Sequence, residues 1–401
     1  MTKPWITIIG IGEDGLDGLG KTASDALDAA DVFFGGERHL AMLGKDKRPR
    51  LTWDSPLLKT ITTIKKFQGK QVCVLASGDP MTYGIGVTLT REIGAEHCTI
   101  IAHQSAFSMA CARLGWSLAN VDTLTLHGRP LGLINQHLRP NAKLLILSAD
   151  GDTPKQVAQM LKTGGYGASQ MTVFEHMGGP KEKQHTGTAK TWRRKVKDLN
   201  TIALHCIADQ SAPRLTKLAG LPDEVFQNDG MLTKHEVRAV TLAALSPAPG
   251  EVLWDVGAGA GSIAIEFLRA EPTARAIAIE QSSSRIDIIR NNADSLGVQN
   301  LHIVQGGAPD ALKGLDKPTV IFIGGGVSNA KVLQSCWRAL PTGGRLIANS
   351  VSMEGETQLY NFMLRHGGEL SQISISKMGA MGDLHAWRAM RAVTQYKGVK
   401  S

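Results

Sequence analysis

Short apolar runs alternate along the chain with stretches whose apolar residues recur every three to four positions. In the first half "ITIIGIG", "VFFGG", "QVCVLASGDP", "HCTIIAH", "KLLILSAD", "QMTVFEHMGG" and "NTIALHCIA" read as strands. "TASDALDAADV" has helical spacing with Thr22 or Ser24 as cap, and "TPKQVAQMLKTGG" reads as a helix with Pro154 at its start and Gly164 at its end. This strand-helix-strand rhythm predicts mostly parallel sheets buried on both faces. Residues 207–230 lack periodicity and hold two prolines and two glycines, which predicts a linker over 208–221 between domains at 1–207 and 222–401. A second series then begins. "TKHEVRAVTLAAL" is an amphipathic helix with Thr233 as cap, "EVLWDVGAG" a strand, "SIAIEFLRA" a helix, "ARAIAIE" a strand, "SRIDIIRNNADSLG" a helix and "LHIVQG" a strand. "TVIFIGGG", "GRLIANSVS", "LSQISISK" and "HAWRAMRAV" are read as later strands. The predicted fold class is α/β in both domains.

Length and composition agree with this division. A chain of 401 residues has room for two or three domains, 42% apolar residues supply their cores, and 44 glycines suit a fold with many strand-to-helix turns. No run of about 18 apolar residues marks a transmembrane helix. The amino terminus enters a strand-like run directly, so no signal peptide is expected. The five cysteines are scattered and never form a CxxC pair, which predicts reduced thiols in a cytoplasmic protein. The net charge of +8 is mild, and its one dense cluster, "WRRKVK" at 192–197, reads as a solvated face rather than a nucleic-acid patch. A small polyanionic substrate is compatible with this charge.

Two glycine loops carry the candidate chemistry. Gly10, Gly12 and Gly15 satisfy GxGxxG, the spacing of a dinucleotide fingerprint. That fingerprint needs a helix opening at the loop to meet a pyrophosphate. Here Glu13, Asp14 and Asp17 crowd the place and helical spacing waits until Thr22, which argues against NAD. A strand also ends at Ser77, where Gly78-Asp79-Pro80 forces a sharp turn. Turn residues alone would give an ordinary strand exit, and composition does not separate that from a ligand site.

"GIG", "SGDPMTYG" and "HQSAFSMACARLG", in that order over about residues 5–205, resemble the tetrapyrrole (precorrin) methyltransferase family. The resemblance implies two α/β lobes with S-adenosylmethionine in the cleft between them. It points to Gly10, Gly12, Ser77, Gly78, Asp79, Tyr83, Ser105 and Ala106 as donor-binding positions.

The second loop, Asp255-Val256-Gly257-Ala258-Gly259-Ala260-Gly261, resembles the first motif of Rossmann-like S-adenosylmethionine-dependent methyltransferases. Its glycines let backbone approach the amino-acid end of a donor, and the adjacent acid suits an ammonium and a sulfonium. Ser262 stands where a dinucleotide loop usually has glycine or alanine. Glu280 ends "AIAIE", where a carboxylate can accept both ribose hydroxyls or be a plain strand-end acid. Gly306-Gly307-Ala308 departs from the family, where many members carry an acid at the second position, so adenine recognition is expected from backbone groups.

Together the two halves resemble fused, decarboxylating methyltransferases of corrin synthesis. "DGMLTKHEVRAVTLAAL", which adds Thr233 to the donor site, "FIGGG" and "ANSVSMEGE" agree. The resemblance implies two S-adenosylmethionine sites and precorrin-6Y as substrate. The first half would methylate carbon 5; the second would methylate carbon 15 and remove carbon dioxide from the ring C acetate. The product would be precorrin-8X in aerobic cobalamin synthesis. A homo-oligomer, dimer or tetramer, is implied, with no nucleic-acid or membrane partner. An electron-rich carbon can attack a sulfonium methyl directly, so alignment and exclusion of water matter most. No Ser/His/Asp set or metal cluster is expected. Lys234 and Arg238, four apart, are candidates for substrate carboxylates or solvated surface; Glu354 is a candidate for proton handling or a helix N-terminal acid, and Arg345 is equally open. The rival readings are a fused RNA methyltransferase and an NAD(P)-dependent oxidoreductase.

Overall fold

A computed structural model describes residues 4–210 and 212–401, so Ser211 of the expected linker lies outside the described residues. The chain divides into two compact units. The first holds Met1–Arg129 and Pro140–Ala212; the second holds Pro130–Arg139 and Pro213–Ser401.

The first unit has two sheets. Strands β1 (Ile6–Ile11), β2 (Val32–Gly35), β3 (Arg50–Leu51), β4 (Val72–Ser77) and β5 (Cys98–Ile101) form a parallel sheet in the order β3-β2-β4-β1-β5. Helices α1 (Lys21–Asp28), α2 (Glu37–Met42), α3 (Leu58–Lys65) and α4 (Ile85–Ile93) connect them. Ile6, Ile8, Val72 and Val74 face one core with Ile61 and Ile64 of α3. Ile9, Phe33 and Leu75 face another with Leu27 of α1. Burial of alternate faces is why these strands are apolar throughout.

Helix α5 (Ala106–Leu114) leads to the second sheet, made of β6 (Asp122–Thr125), β7 (Lys143–Leu147), β8 (Gln170–Glu175), β9 (Lys183–Thr188) and β10 (Asn200–His205). Its order is β6-β7-β10-β8-β9, and only β6 and β7 pair in parallel. This corrects the expectation of mostly parallel pairing. Helix α6 (Thr153–Thr163) carries the chain from β7 to β8, but β10 inserts between them, antiparallel to both. The loop from His176 to Glu182 is too short for a parallel crossover, so β9 returns antiparallel to β8. Two expected caps also move: Gly20 precedes α1, and Lys234 rather than Thr233 precedes the first helix of the second unit.

The second unit is built on one seven-stranded sheet. Helix α7 (His235–Leu245) precedes β11 (Val252–Val256), α8 (Ser262–Ala270), β12 (Arg275–Glu280), α9 (Ser283–Leu296), β13 (His302–Gln305) and β14 (Val320–Ile323). Then come α10 (Ala330–Ala339), β15 (Arg345–Ser350), α11 (Met353–His366), β16 (Glu369–Ile373), the hairpin β17 (Ser376–Met381) and β18 (Leu384–Ala389), and β19 (Val393–Val399). The sheet order is β13-β12-β11-β14-β15-β19-β16, with β11 to β15 parallel and β19 antiparallel to both neighbours. The chain order reverses between β11 and β14, and ligands of open α/β sheets bind outside the strand ends at such a point. A 3-10 turn at Leu131–Gln136 belongs to this unit: Asn135 donates to Ser295 O at 2.9 Å and accepts from Arg269 at 3.2 Å.

Candidate functional site

In the first unit the ends of β1, β4 and β5 converge. Gly78 N donates to Ile11 O at 3.0 Å, and His103 N donates to Gly78 O at 3.2 Å. A Cβ on Gly10 would lie 1.8 Å from Gly78 O and 2.6 Å from His103 N, so only glycine allows this crossing. Asp79 closes the turn, accepting from Met81 N at 2.9 Å and from Thr82 Oγ1 at 2.7 Å. Both oxygens therefore serve the loop. Tyr83 follows in the left-handed region at φ 55°, and its hydroxyl donates to Thr123 O at 2.8 Å. Ser105 caps α5 by accepting from Ser108 N at 3.1 Å.

These elements enclose a cavity of about 510 Å³. Of the donor-binding positions expected in this half, Gly12, Ser77, Gly78, Asp79, Tyr83, Ser105 and Ala106 line it, and Gly10 is at the crossing of β1 with the Gly78 turn. The sequence reading missed a polar network on the same wall. Arg38 donates to Glu13, to His39 Nε2 at 2.9 Å and to Ser77 Oγ at 3.1 Å. Glu13 Oε2 also meets His176 Nδ1 at 2.7 Å. Burial and the charge of Arg38 push the His39 imidazole down to about 4. The only linear signals were "GGERHL" after a buried strand and "EHMGG" at a strand end.

The network changes the argument against a dinucleotide here. Glu13 is compensated by Arg38, and Asp14 stands 3.5 Å from His103, so these carboxylates are not bare. What the loop lacks is a helix. It runs into a 3-10 turn, Gly15–Gly18, and α1 begins only at Lys21, so no helix N-terminus faces the cavity at this place.

In the second unit the ends of β11, β12, β13 and β14 meet. Gly257, Gly259 and Gly261 all have positive φ, at 74°, 59° and 76°. A Cβ on Gly257 would sit 2.7 Å from the Cα of Gly325, so that crossing needs glycine at 257; in the 324–326 run a Cβ on Gly324 would meet the Phe322 ring at 2.8 Å, and Gly326 has a φ of 81°. Glu280 is buried and accepts from Gly259 N at 2.9 Å and Ser282 N at 3.0 Å. Gly306 N donates to the Glu280 carbonyl at 2.9 Å and sets Gly307 and Ala308 at the end of β13. Asp255 is buried. Its Oδ2 accepts from Ala264 N at 3.1 Å, and its Oδ1 has no partner among the described residues. Burial pushes its carboxyl up to about 7, against the Ala264 amide, which pulls it down. Ser262 is buried as the first residue of α8. An open glycine cradle, an unpartnered buried carboxylate oxygen and a ribose-competent acid fit a cationic nucleoside donor. Among the described residues no His/Cys/Asp/Glu group could hold a metal ion.

The candidate cations of this unit separate. Arg238 is fully buried: it donates to Glu266 at 2.5 Å, to Asp223 at 3.2 Å, and to the carbonyls of Thr233 and Leu221, and stacks on Phe226. This corrects its reading as a substrate contact or solvated group. It ties the 221–233 segment, Thr233 included, to α7 and α8. Lys234 is half-exposed, with Nζ 3.7 Å from Asp223. Arg345 binds the Leu245 carbonyl and Glu251, joining β15 to the end of α7. Glu354 is exposed in the first turn of α11.

Residues 6–192 match the family model of tetrapyrrole (corrin/porphyrin) methylases, and residues 224–400 match the precorrin methyltransferase domain. Over 402 residues the chain is 42% identical to a precorrin-6Y C(5,15)-methyltransferase (decarboxylating) of Sinorhizobium sp, covering 100% of this chain and 97% of that one. The chain belongs to the precorrin-6Y C(5,15)-methyltransferase family. A Mycobacterium tuberculosis member is 38% identical over 98% of this chain and 100% of its own. The crystallised C-terminal domain of the Rhodobacter capsulatus member is 41% identical, covering 46% of this chain and 100% of that one, with a TM-score of 0.44. Members carry methyltransferase and decarboxylase activity in their names, and the chain is an enzyme of that kind in cobalamin biosynthesis. No helix among the described residues is long and apolar enough to cross a membrane.

Proposed function

We propose that the chain methylates precorrin-6Y at carbons 5 and 15 and decarboxylates its ring C acetate, giving precorrin-8X, with one S-adenosylmethionine site in each unit. The observation that carries the reading is a separate glycine-built turn at a parallel sheet's carboxyl edge in each unit. S-adenosylmethionine supplies the electrophilic methyl group. In the first unit Gly12, Ser77, Gly78, Tyr83, Ser105 and Ala106 would hold it by backbone and small polar groups, and the cavity would align the reacting carbon with the methyl group. In the second unit Asp255 would balance the ammonium, Gly257 to Gly261 would cradle the amino-acid end, and Glu280 would accept the ribose hydroxyls. Gly307 and Ala308 border the adenine. Lys234 is offered to a substrate carboxylate and Glu354 to a proton.

The family's names for both carbons and for decarboxylation support this reading. Incubation with purified precorrin-6Y and methyl-labelled donor is expected to add two methyl groups and release carbon dioxide. Calorimetry with S-adenosylhomocysteine is expected to give two sites per chain. One site, one methyl group or retention of every carboxyl would overturn the reading.

A further inference from the structure

Methyl transfer to carbon leaves a proton to dispose of. The new C–C bond takes its electron pair from the macrocycle, and the pair of the broken S–CH3 bond stays on sulfur. One proton, from the methylated carbon or a conjugated ring N–H, must then reach an acceptor. Six carboxylate or imidazole side chains line the first cavity: Glu13, His39, Asp79, His127, His176 and Asp198.

Most are committed elsewhere. Asp79 gives both oxygens to its own turn, and Asp198 holds the Gly151 amide at 3.0 Å. The Nε2 lone pair of His39 receives Arg38, whose guanidinium can only donate. Glu13 is already ion-paired with Arg38. His127 is exposed, and no carboxylate among the described residues pairs with its ring.

His176 differs. Its Nδ1 lies 2.7 Å from Glu13 Oε2, and an ionised carboxylate only accepts, so Nδ1 carries the proton. The lone pair of the neutral ring is thereby placed on Nε2. The backbone at this position is unusual as well. At φ 47° His176 occupies the left-handed region at the end of β8, fixed by His176 N to Leu199 O at 3.2 Å and Gly179 N to His176 O at 3.1 Å. Non-glycine residues held there cluster at functional sites.

We propose, resting on the functional reading above, that His176 Nε2 accepts the proton released by methyl transfer in the first unit. Glu13 positions the ring, and Arg38 positions Glu13. The imidazolium formed is paired with Glu13 and returns its proton to water after product leaves. This is the carboxylate–histidine logic of general-base catalysis, with carbon rather than a hydroxyl as the proton's source. The groups that set the charge of His176 are Glu13 from the loop after β1, Arg38 from α2, Glu175 from β8, Lys181 from the next loop and Lys197 ahead of β10. Burial first, then Lys181, Arg38 and Lys197, hold the imidazole below its ordinary range; Glu175 opposes them. Glu13, in direct contact, also favours the cation.

The test uses the full chain, methyl-labelled donor and a tetrapyrrole already methylated at carbon 15 and decarboxylated, so that only the first unit turns over. His176→Asn and His176→Gly both tolerate positive φ and keep the backbone. Each is expected to lower kcat about 10²–10⁴-fold, with KM and S-adenosylhomocysteine affinity unchanged. The acid limb of the wild-type kcat profile is expected to vanish in both. Added imidazole should restore part of the His176→Gly rate, and Glu13→Gln should move the limb to lower pH. An active wild type with an equally active His176→Asn overturns this proposal alone, as does a His176→Gly rate that imidazole leaves unchanged. A wild type inactive on that tetrapyrrole overturns the functional reading, and this one with it.

Discussion

The guanidinium of Arg238 and the carboxylate of Glu266 lie 2.5 Å apart with neither group open to solvent. Glu266 also accepts the amides of Gly220 and Leu221, at 2.6 and 3.1 Å, so the pair fastens the entry of the second unit to α8. Removing one partner strands the other charge in the interior. Arg238→Met is expected to destabilise the second unit by about 3–5 kcal/mol, read as a fall in its denaturation midpoint. The first unit's transition should not move.

The glycine crossings make a paired prediction. Gly10→Ala puts a methyl group into the Gly78 carbonyl, and Gly257→Ala puts one into the Gly325 backbone at a positive φ. Each is expected to remove one S-adenosylhomocysteine site in calorimetry and one of the two methyl transfers, leaving the other. Gly20→Ala, with negative φ and nothing near its Cβ, is expected to preserve both.

Asp255 gives a pH dependence of definite sign. Its carboxyl titrates at about 7 in the fold, against about 3.9 for an unfolded chain. Between those values the native state holds a proton that the unfolded state has released, so stability falls as pH rises through that window. Asp255→Asn should flatten this component of the melting temperature of the second unit. The proposed cationic donor beside Asp255 would favour the ionised form, so binding below pH 7 is expected to release protons, measurable as a buffer-dependent enthalpy.

Glu280→Ala removes a charged acceptor from two loop amides and from the proposed ribose contact. Each such bond is worth about 1.5–3 kcal/mol. Loss of the second donor site is expected, with carbon 5 methylation by the first unit retained on a substrate already processed at carbon 15.

Much of this fold was legible because its strands are buried on both faces and announce themselves as unbroken apolar runs. The glycine loops were legible because close backbone crossings admit few other residues. What escaped shares a cause: partners far apart in sequence. Nothing local shows that Glu13 meets Arg38 and His176, or that Arg238 points at Glu266 rather than outward with Lys234. Periodicity put Lys234 and Arg238 on one helix face, but Lys234 lies ahead of the helix and is half-exposed, whereas Arg238 is sealed in. The antiparallel second sheet was hidden for a similar reason. Its edge strand β9, "KQHTGT", is polar and half-exposed, and β10 is inserted from the far end of the unit.

A carboxylate has about four lone-pair directions, and Glu280 uses one on each oxygen to hold the chain itself. Two remain, the number a vicinal diol can fill with its hydroxyl hydrogens. With the proposed ribose bound there, the same group would keep the loop taut before arrival and after it. A sugar esterified with phosphate at that diol would bring negative charge and too few donors, and the acid would turn it away.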